Sequence, residues 1–518
     1  MRPSGRDVPR RPALLSWGVP AVCCVAITGV WWTARQDASA STDVDIDECG
    51  RPAPVAPEAV SQRVRRAPHA ATRPGGDTTV ALGPEPSMVR PAANLDDAGK
   101  ARFYAGKALA TQPWVRAPTL TDARDGLGPL YNARSCLACH VEGGRGRGVE
   151  DGQPLFASLV RLSVPGRGPH GEPLPEPVYG TQLQSQSTSL SHQVGEAVDG
   201  DEGPPPEGQA FVDWAPVPFV YPDGETVSLR SPRLRLGALG YGPMHPDTVL
   251  GIRHAPAIAG IGLLELVEQA DIDRKEDPDD ADGDGVSGRV NRVWDPEQEV
   301  ERPGRFGLKA NQPSARVQVA AAFAGDLGVS NPVFGSQPCT ALQTRCLDAP
   351  TGAGPDGTEL SAQLLDLVVF FNMSIGVVAR RKPMHPDVVR GRDLFEDVGC
   401  ASCHTPDYVT GSDPAYPHLS DQHIWPYTDL LLHDMGSGLA DGRADHLASG
   451  SEWRTPPLWG VGLARAMQDR VALLHDGRAR NVEEAILWHD GEGRGARDRF
   501  AELPVADRRA LITFVRSL

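Results

Sequence analysis

A short motif of two cysteines and one histidine occurs twice in this chain. The copies read Cys-x-x-Cys-His and occupy residues 136–140 and 400–404. On one helical turn the two thiols face the same side. There they can form thioether bonds to the vinyl groups of haem, and the adjacent imidazole can ligate the iron. Zinc sites also use cysteine pairs, but they need no histidine directly after each pair. We therefore predict two covalently bound c-type haems; the predicted attachment residues and proximal ligands are Cys136, Cys139, His140, Cys400, Cys403 and His404.

The function of such haems depends on the sixth ligand of each iron. A six-coordinate haem transfers electrons, whereas an open position can bind peroxide or another small ligand. Several side chains after the second motif could supply a distal ligand, and they are His433, Met435, His475 and His489. Outside the motifs, Cys339 and Cys346 lie close together. They could form a disulfide in an oxidising compartment or remain free thiols.

An acidic, glycine-containing loop forms a third pattern. Asp280, Asp282 and Asp284 stand at positions 1, 3 and 5 of a segment with Gly285 at position 6, as in the first half of an EF-hand calcium loop. Asn291 stands at position 12, where that loop carries a bidentate glutamate. The segment is therefore a candidate calcium site, and a plain acidic loop is the alternative.

The N-terminal segment has the composition of an export signal or a membrane anchor. Four arginines precede an apolar run at residues 13–32, and small residues at 38–40 could mark a cleavage site. The run is close to the ~20 residues that span a bilayer. We expect residues 1–40 to be a signal peptide or an anchor, and the protein to be periplasmic, either free or tethered to the inner membrane. The net charge of −16 argues against nucleic acid and anionic lipid as partners.

Composition divides the rest of the chain into three parts. Residues 41–98 are rich in Pro, Ala, Arg and Asp without periodicity, which predicts a disordered linker. Residues 99–390 form a predicted N-terminal haem domain enlarged by insertions. Residues 391–518 form a predicted C-terminal cytochrome c domain that ends in an amphipathic helix. The predicted fold class is mainly α: two cytochrome-c-like haem domains with long irregular loops.

A faint internal repeat supports this division into halves. The pattern Arg-x-x-Pro followed by Gly-x-Gly-Leu occurs at residues 253–263 and again at residues 454–463. Each copy follows one haem-attachment motif. The repeat therefore predicts two related haem-binding halves.

Four segments resemble the di-haem oxidoreductase family, whose members are described as peroxidases and sometimes as thiol oxidoreductases. The resemblance covers roughly residue 100 to the C-terminus, and the chain is more distantly similar to bacterial di-haem cytochrome c peroxidases and to the di-haem enzyme that matures methylamine dehydrogenase. The segments that carry the resemblance are Gly128–Cys136, Tyr427–Gly436, Glu452–Gly460 and Leu474–Arg480.

The resemblance implies a distal ligand for the second haem. In the peroxidases a Leu-x-Glu-Ala segment is followed, four residues later, by a methionine ligand. The matching segment here ends at Ala485, and the residue four positions later is His489. Asn481 could cap a helix, with Glu484 completing a capping box. Ala485 and His489 would then share one helix face.

The same alignment implies an open first haem. It places Ala322 in the position of His489, and alanine cannot ligate iron. Asp326 lies close to the position of a glutamate that acts on bound peroxide in the peroxidases, and Glu265 is a second candidate acid. A carboxylate beside peroxide can move a proton between its oxygens. An ordinary solvated or capping carboxylate is the alternative for both residues.

These features together favour an enzyme, specifically an exported di-haem c-type cytochrome oxidoreductase of the peroxidase kind. Electrons would enter at the second haem from a donor protein, a small cytochrome or a cupredoxin, and would reduce peroxide or another small oxidant at the open first haem. The alternative is a pure electron-transfer cytochrome with both irons six-coordinate. Thiol oxidation is not favoured, because no remaining cysteine pair has the spacing of a redox motif.

Overall fold

The structure, a computed structural model, describes residues 72–120 and 123–518. The predicted signal or anchor, residues 1–40, lies outside the described residues, as does most of the predicted linker. None of the helices within the described ranges combines the length and hydropathy needed to cross a bilayer.

The prediction of a mainly α fold is wrong, because helices alternate with strands along the described chain. The strands pair into six small antiparallel sheets. The longest ribbon belongs to an insertion of the first half, where side chains at residues 209–237 alternate between more and less buried positions. That two-residue period is the period of a strand. Segments that the sequence analysis treated as irregular loops therefore pair as hairpins.

The helices are distributed along the described chain. Their N-termini are capped by side chains where hydroxyl, carboxylate or amide oxygens accept from the first turn, as Asp96, Ser314 and Asn481 do. In chain order the helices are α1 (Asp97–Thr111), α2 (Cys136–Cys139), α3 (Leu190–Val194), α4 (Ile261–Glu265), α5 (Gln269–Asp273), α6 (Ala315–Leu327), α7 (Thr344–Leu347), α8 (Ala362–Met373), α9 (Pro386–Asp397), α10 (Ala464–Met467), α11 (Val482–Leu487), α12 (Arg494–Glu502) and α13 (Val505–Val515).

The strands form ribbons rather than one continuous sheet. They are β1 (Leu130–Tyr131), β2 (Ser158–Arg167), β3 (Pro173–Leu174), β4 (Gln186–Ser187), β5 (Gln209–Val220), β6 (Thr226–Gly237), β7 (Val249–His254), β8 (Arg292–Asp295), β9 (Val300–Pro303), β10 (Tyr408–Val409), β11 (His423–Ile424), β12 (Leu432–Asp434) and β13 (Glu452–Arg454). β2 pairs with both β3 and β7. The other pairs are β1 with β4, β5 with β6, β8 with β9, β10 with β11, and β12 with β13.

Two helix pairs, one in each half, are built in the same way. α1 packs against α8, and α9 packs against α13. A Cβ on Gly106 of α1 would lie 2.0 Å from the carbonyl oxygen of Leu367, and a Cβ on Gly391 of α9 would lie 2.0 Å from that of Ala510. Only glycine permits so close an approach of two backbones. The division into haem domains at residues 99–390 and 391–518 stays a prediction, but this shared construction agrees with it.

The glycine pattern of the internal repeat has the same geometry in both copies. Gly260 has φ = 76° and Gly460 has φ = 74°, so both adopt the left-handed conformation that glycine favours. A Cβ on Gly262 would lie 2.1 Å from the carbonyl oxygen of the last residue of α8. A Cβ on Gly462 would lie 2.0 Å from that of the residue after α13. Each copy of the repeat therefore packs against the end of the second helix of its pair.

The last part of the predicted linker is packed, at least from residue 72 onwards. Met88, Val89 and Ala92 are buried in the hydrophobic core of the first half. Apolar side chains of this segment thus pack into the core although they show no helical or strand period in the sequence. Elsewhere in the first half, a disulfide joins Cys339 to Cys346, so the disulfide alternative is confirmed for this pair.

The β5–β6 hairpin reaches from the first half to the second. Near its tip, the Tyr221 hydroxyl donates to Oε1 of Glu483 at 3.0 Å, and Nη2 of Arg508 donates to Oδ2 of Asp223 at 2.7 Å. Glu483 belongs to the first turn of α11. The hairpin therefore holds the helix that immediately precedes the predicted distal ligand.

Candidate functional site

Both cysteine–histidine motifs line one large cavity that is partly open to solvent. Its volume is about 930 Å³, and its lining is mostly apolar. The motif residues that border it are Cys136, Cys139, His140, Cys400, Cys403 and His404. A mostly apolar cavity with a few polar groups is the usual environment of a bound cofactor.

The two predicted proximal histidines are oriented in the same way. Nδ1 of His140 donates to the carbonyl oxygen of Pro256 at 2.6 Å, and Nδ1 of His404 donates to that of Tyr427 at 2.9 Å. Such a bond fixes the tautomer whose Nε2 has a free lone pair, as iron ligation requires. Burial lowers the pKa of both imidazoles, to about 4 for His404, so both are neutral at pH 7. These residues fit two haem irons.

The motif cysteines are protonated thiols in the protein without a bound group. Burial raises the pKa of Cys136, Cys139 and Cys400 to about 12. Covalent attachment of haem to these thiols stays a prediction.

His489 lies in the same part of the cavity as His404. Asn481 caps α11 by accepting from the backbone N–H of Glu484 at 2.9 Å. His489 follows the helix, and its Nδ1 donates to the carbonyl oxygen of Ala485 at 2.7 Å. Burial lowers its pKa, and its nearness to His404 contributes to the low pKa of His404. The imidazole is therefore neutral, with Nε2 available to a metal.

The rival ligands of the second motif differ in availability. Both nitrogens of His433 are used: Nε2 bonds Oδ2 of Asp429 at 2.8 Å, and Nδ1 bonds Oε2 of Glu492 at 2.6 Å. Burial works to lower the pKa of His433, but Asp429 outweighs it and raises that pKa well above its ordinary value. His433 is thus an imidazolium without a free lone pair.

Two other rivals, His475 and Met435, also line the cavity, and Nε2 of His475 lies 3.5 Å from Oδ2 of Asp476. The ring of His475 stacks on that of Trp453 with centroids 3.6 Å apart. Met435 lies beside His489, because a Cβ on Gly493 would meet the Met435 methyl group at 3.3 Å and the His489 ring at 3.1 Å. Met435 is therefore the side chain that could most easily replace His489.

Helix α6 presents a different face to the cavity in the first half. Gln318, Ala322 and Asp326 lie four residues apart along it, and all three line the cavity. Positions i, i+4 and i+8 share one side of a helix. Ala322, in the middle of this face, offers only a methyl group. His489, at the corresponding position after α11, offers an imidazole.

Asp326 is an enclosed carboxylate whose accessible surface faces the cavity. Its Oδ1 accepts from Nε2 of Gln182 at 2.9 Å, and Nη1 of Arg161 donates to Oε1 of Gln182 at 3.1 Å. Burial raises the pKa of Asp326 to about 6, and the Gln182 bond and the Arg161 charge oppose the shift. The carboxyl group can therefore both accept and donate a proton near neutral pH. Sequence reasoning missed Gln182 and Arg161, because no motif marks either residue within the insertions.

Glu265, the second candidate acid, has a structural role instead. Its Oε2 accepts from the backbone N–H of Ala315 at 2.8 Å, at the N-terminus of α6. Glu265 is not among the described residues that line the cavity. A carboxylate at a helix N-terminus satisfies an otherwise unpaired N–H group and interacts well with the helix dipole. The capping alternative therefore holds for this residue.

The acidic loop is arranged differently from the EF-hand pattern. Carboxylate oxygens of Asp280 and Asp282 cluster with Asp277, within 4.8 Å of one another, whereas Asp284 lines the cavity. Asn291, predicted at position 12, is fully buried, and its Nδ2 donates to the carbonyl oxygen of Lys309 at 2.8 Å. Calcium binding stays a prediction for this loop.

Comparison with known proteins gives one match. The model of the family described as "Di-haem oxidoreductase, putative peroxidase" matches residues 69–153 and 166–518. No curated protein and no solved structure matches the chain significantly.

Proposed function

The chain belongs to the di-haem oxidoreductase family, and from this premise we propose that it is an exported c-type cytochrome that reduces peroxide. His404 and His489 would hold the second haem, where electrons would enter, and His140 would hold the first haem, where they would be used. Family membership supports two haems and oxidoreductase chemistry. The attachment mode, the ligands and the direction of electron flow rest on the residues of the cavity.

The contrast between Ala322 and His489 carries this proposal. His489 offers a neutral imidazole on the side of the second motif. The corresponding face of α6 offers Gln318, Ala322 and Asp326, none of which is a usual iron ligand. In such a pair, the second haem would store an electron and the first haem would bind the oxidant.

When bound at the first site, haem supplies a redox-active iron with a free coordination position. The surrounding side chains handle protons and orientation. Asp326, with a pKa of about 6, takes the proton from the inner oxygen of peroxide and returns it to the outer oxygen. Gln182 holds Oδ1 of Asp326 at 2.9 Å, which leaves Oδ2 for this transfer. The transfer makes the outer oxygen leave as water rather than as hydroxide.

Trp459 connects the two halves beside the cavity. Its Nε1 donates to the carbonyl oxygen of Ala259 at 3.1 Å, and its ring packs directly against Gly260. The side chain itself belongs to the second half and is almost completely buried. A rigid aromatic ring at this junction provides a route for electrons between the sites.

Export and a protein donor complete the proposal. The Cys339–Cys346 disulfide supports an oxidising compartment outside the cytoplasm. The N-terminal arginines followed by an apolar run also support export, because export signals have this composition. A small cytochrome or a cupredoxin would deliver single electrons to the second haem.

Rapid mixing of the fully reduced protein with peroxide tests the proposal. Both haems should be reoxidised quickly, and carbon monoxide bound at the first haem should suppress the reaction. Slow reoxidation that carbon monoxide does not change would favour the pure electron carrier instead. Denatured protein of equal haem content gives the baseline for unspecific reaction.

A further inference from the structure

Three arginines that line the cavity have no carboxylate partner. Arg145, Arg161 and Arg454 lie deep in the protein, and their remaining accessible surface faces the cavity. Among the described residues, no aspartate or glutamate lies within ion-pair distance of their guanidinium groups. Two other cavity arginines differ: Arg253 forms an ion pair with Asp441, and Arg499 is exposed to solvent.

A buried guanidinium without a counter-charge is costly. Removing an ion from water costs several kcal/mol even after relaxation, and proteins normally compensate buried charges with an opposite charge. Burial lowers the pKa of all three guanidiniums to about 10, so they remain protonated at neutral pH. Carboxylates act on these charges only at longer range: Asp476 on Arg145, Asp445 and Asp326 on Arg161, and Asp429 on Arg454. Three positive charges without a direct ion pair on the wall of one cavity therefore favour anionic groups inside it.

The hydrogen bonds already made by these arginines leave donors free. Arg161 donates only from Nη1, to Gln182 at 3.1 Å. Arg454 donates from Nε to the carbonyl oxygen of Gly307 and from Nη1 to that of Thr455, which leaves Nη2. A guanidinium has five N–H donors in a flat fork that matches a carboxylate. The free edges of both groups can thus bind a carboxylate directly.

The arginines divide between the two sites. Arg161 lies near Asp326 and Gln182, on the side of the first motif. Arg145 follows His140 closely in the chain, and its guanidinium also donates to the carbonyl oxygen of Ala472. Arg454 lies near Asp429, on the side of the second motif. Asp429 bonds His433, and His433 in turn contacts the thiol of Cys403.

We infer that Arg145 and Arg161 bind the propionate carboxylates of the first haem and that Arg454 binds a propionate carboxylate of the second. The inference rests on the proposed presence of haem at both motifs. It assigns the cavity a polar side, where the propionates end, and an apolar remainder that encloses the macrocycles. It also makes Arg454, the first residue of the second repeat, part of the cofactor site.

Redox titration of the full-length holoprotein, with each haem followed by its own visible and EPR signals, tests the inference. A positive charge beside a haem disfavours the oxidised iron, so Arg454→Met should lower the potential of the second haem only. We expect at least a tenfold change in the equilibrium constant for reduction, which is 59 mV for a one-electron couple. Arg161→Met should shift the first haem only.

Arg305→Met is the matched control. Arg305 is also buried and has no ion pair, but it donates to backbone carbonyls and does not line the cavity. It should leave both potentials within the error of the titration. Equal shifts in the Arg454 and Arg305 variants, or no shift in the Arg454 variant, would overturn the inference.

Arg454→Lys keeps the test possible if the methionine variant does not fold. The lysine retains the charge but loses the fork, so the resonance Raman band of propionate bending should shift while the potential stays close to that of the parent. An unshifted band would count against a propionate contact. Peroxide reactivity is not used in either measurement, so this inference and the peroxidase proposal can fail separately.

Discussion

His489 donates from Nδ1 to the carbonyl oxygen of Ala485, one helical turn earlier, at 2.7 Å. His140 and His404 make the same kind of bond to carbonyl oxygens. In each case the bond consumes Nδ1 and leaves the lone pair of Nε2 free. Two of these three histidines belong to the second site and one belongs to the first. The two sites are therefore unequal.

Replacing His489 by alanine should remove the distal ligand of the second iron. We expect the EPR signal of a bis-histidine low-spin haem to disappear. The residual spin state depends on Met435, which lies beside His489 and could reach the iron in its absence. The double variant His489→Ala, Met435→Ala should therefore be fully high-spin at this haem.

Met435→Ala alone is the control for that pair. It should leave the low-spin signal as in the parent, because His489 remains in place. An EPR spectrum that does not change in His489→Ala would reject His489 as a ligand.

Asp326→Asn should lower peroxide turnover by about 10²- to 10⁴-fold, the usual contribution of a positioned acid or base. Asparagine can still accept from Gln182 but cannot carry the proton. The pKa of Asp326 is about 6, so turnover by the parent should decline as the pH falls through 6. A stopped-flow pH profile measures both effects. Glu265→Gln, which removes a carboxylate that does not line the cavity, should keep the pH profile of the parent.

The same Asp326→Asn substitution should increase stability. The folded pKa of about 6 lies above the ordinary 3.8, so the folded protein binds more protons than the unfolded chain between these values. Ionisation of this carboxyl group therefore lowers the free energy of unfolding as the pH rises from about 4 to about 6. The full loss persists above that range. At pH 7 the variant should gain up to about 3 kcal/mol of unfolding free energy. The gain should vanish near pH 4 in denaturant titrations; a variant less stable than the parent at pH 7 would contradict the assignment.

Gly391→Ala should destabilise the second half. Its Cβ would lie 2.0 Å from the carbonyl oxygen of Ala510, so α9 and α13 would have to separate. Overpacking of this kind costs about 1–3 kcal/mol or more, which urea unfolding can measure. Gly495→Ala in α12 is the matched control, because its nearest neighbour is the flexible end of Arg499 at 3.3 Å. The control should gain up to about 1 kcal/mol from helix propensity.

The attachment residues could be predicted from sequence because their chemistry is local. Two thiols and an imidazole must lie within one turn, so Cys136, Cys139 and His140 must be neighbours in the chain. His489 could be proposed by resemblance, and its helix could be predicted from Asn481 and Glu484. These features depend on spacings of a few residues, which a sequence displays directly.

The rest depends on contacts between distant segments. The carboxylate of Glu265 could serve either as an acid or as a cap, and only the position of Ala315 decides between them. Gln182 and Arg161 reach Asp326 from strands and loops of an insertion that has no motif. The mainly α prediction failed for a different reason: residues 209–237 carry a local hairpin signal, in which two alternating segments flank the turn Pro222-Asp223-Gly224.

Carbon monoxide binding to the fully reduced, full-length protein tests the central claim most directly. Carbon monoxide requires an open position on ferrous haem, and only the first site is proposed to have one. A titration followed by the CO-difference spectrum should end at one carbon monoxide per chain, and His489→Ala, Met435→Ala should raise this to two. A protein that binds no carbon monoxide would contradict the account, because both irons would then be six-coordinate.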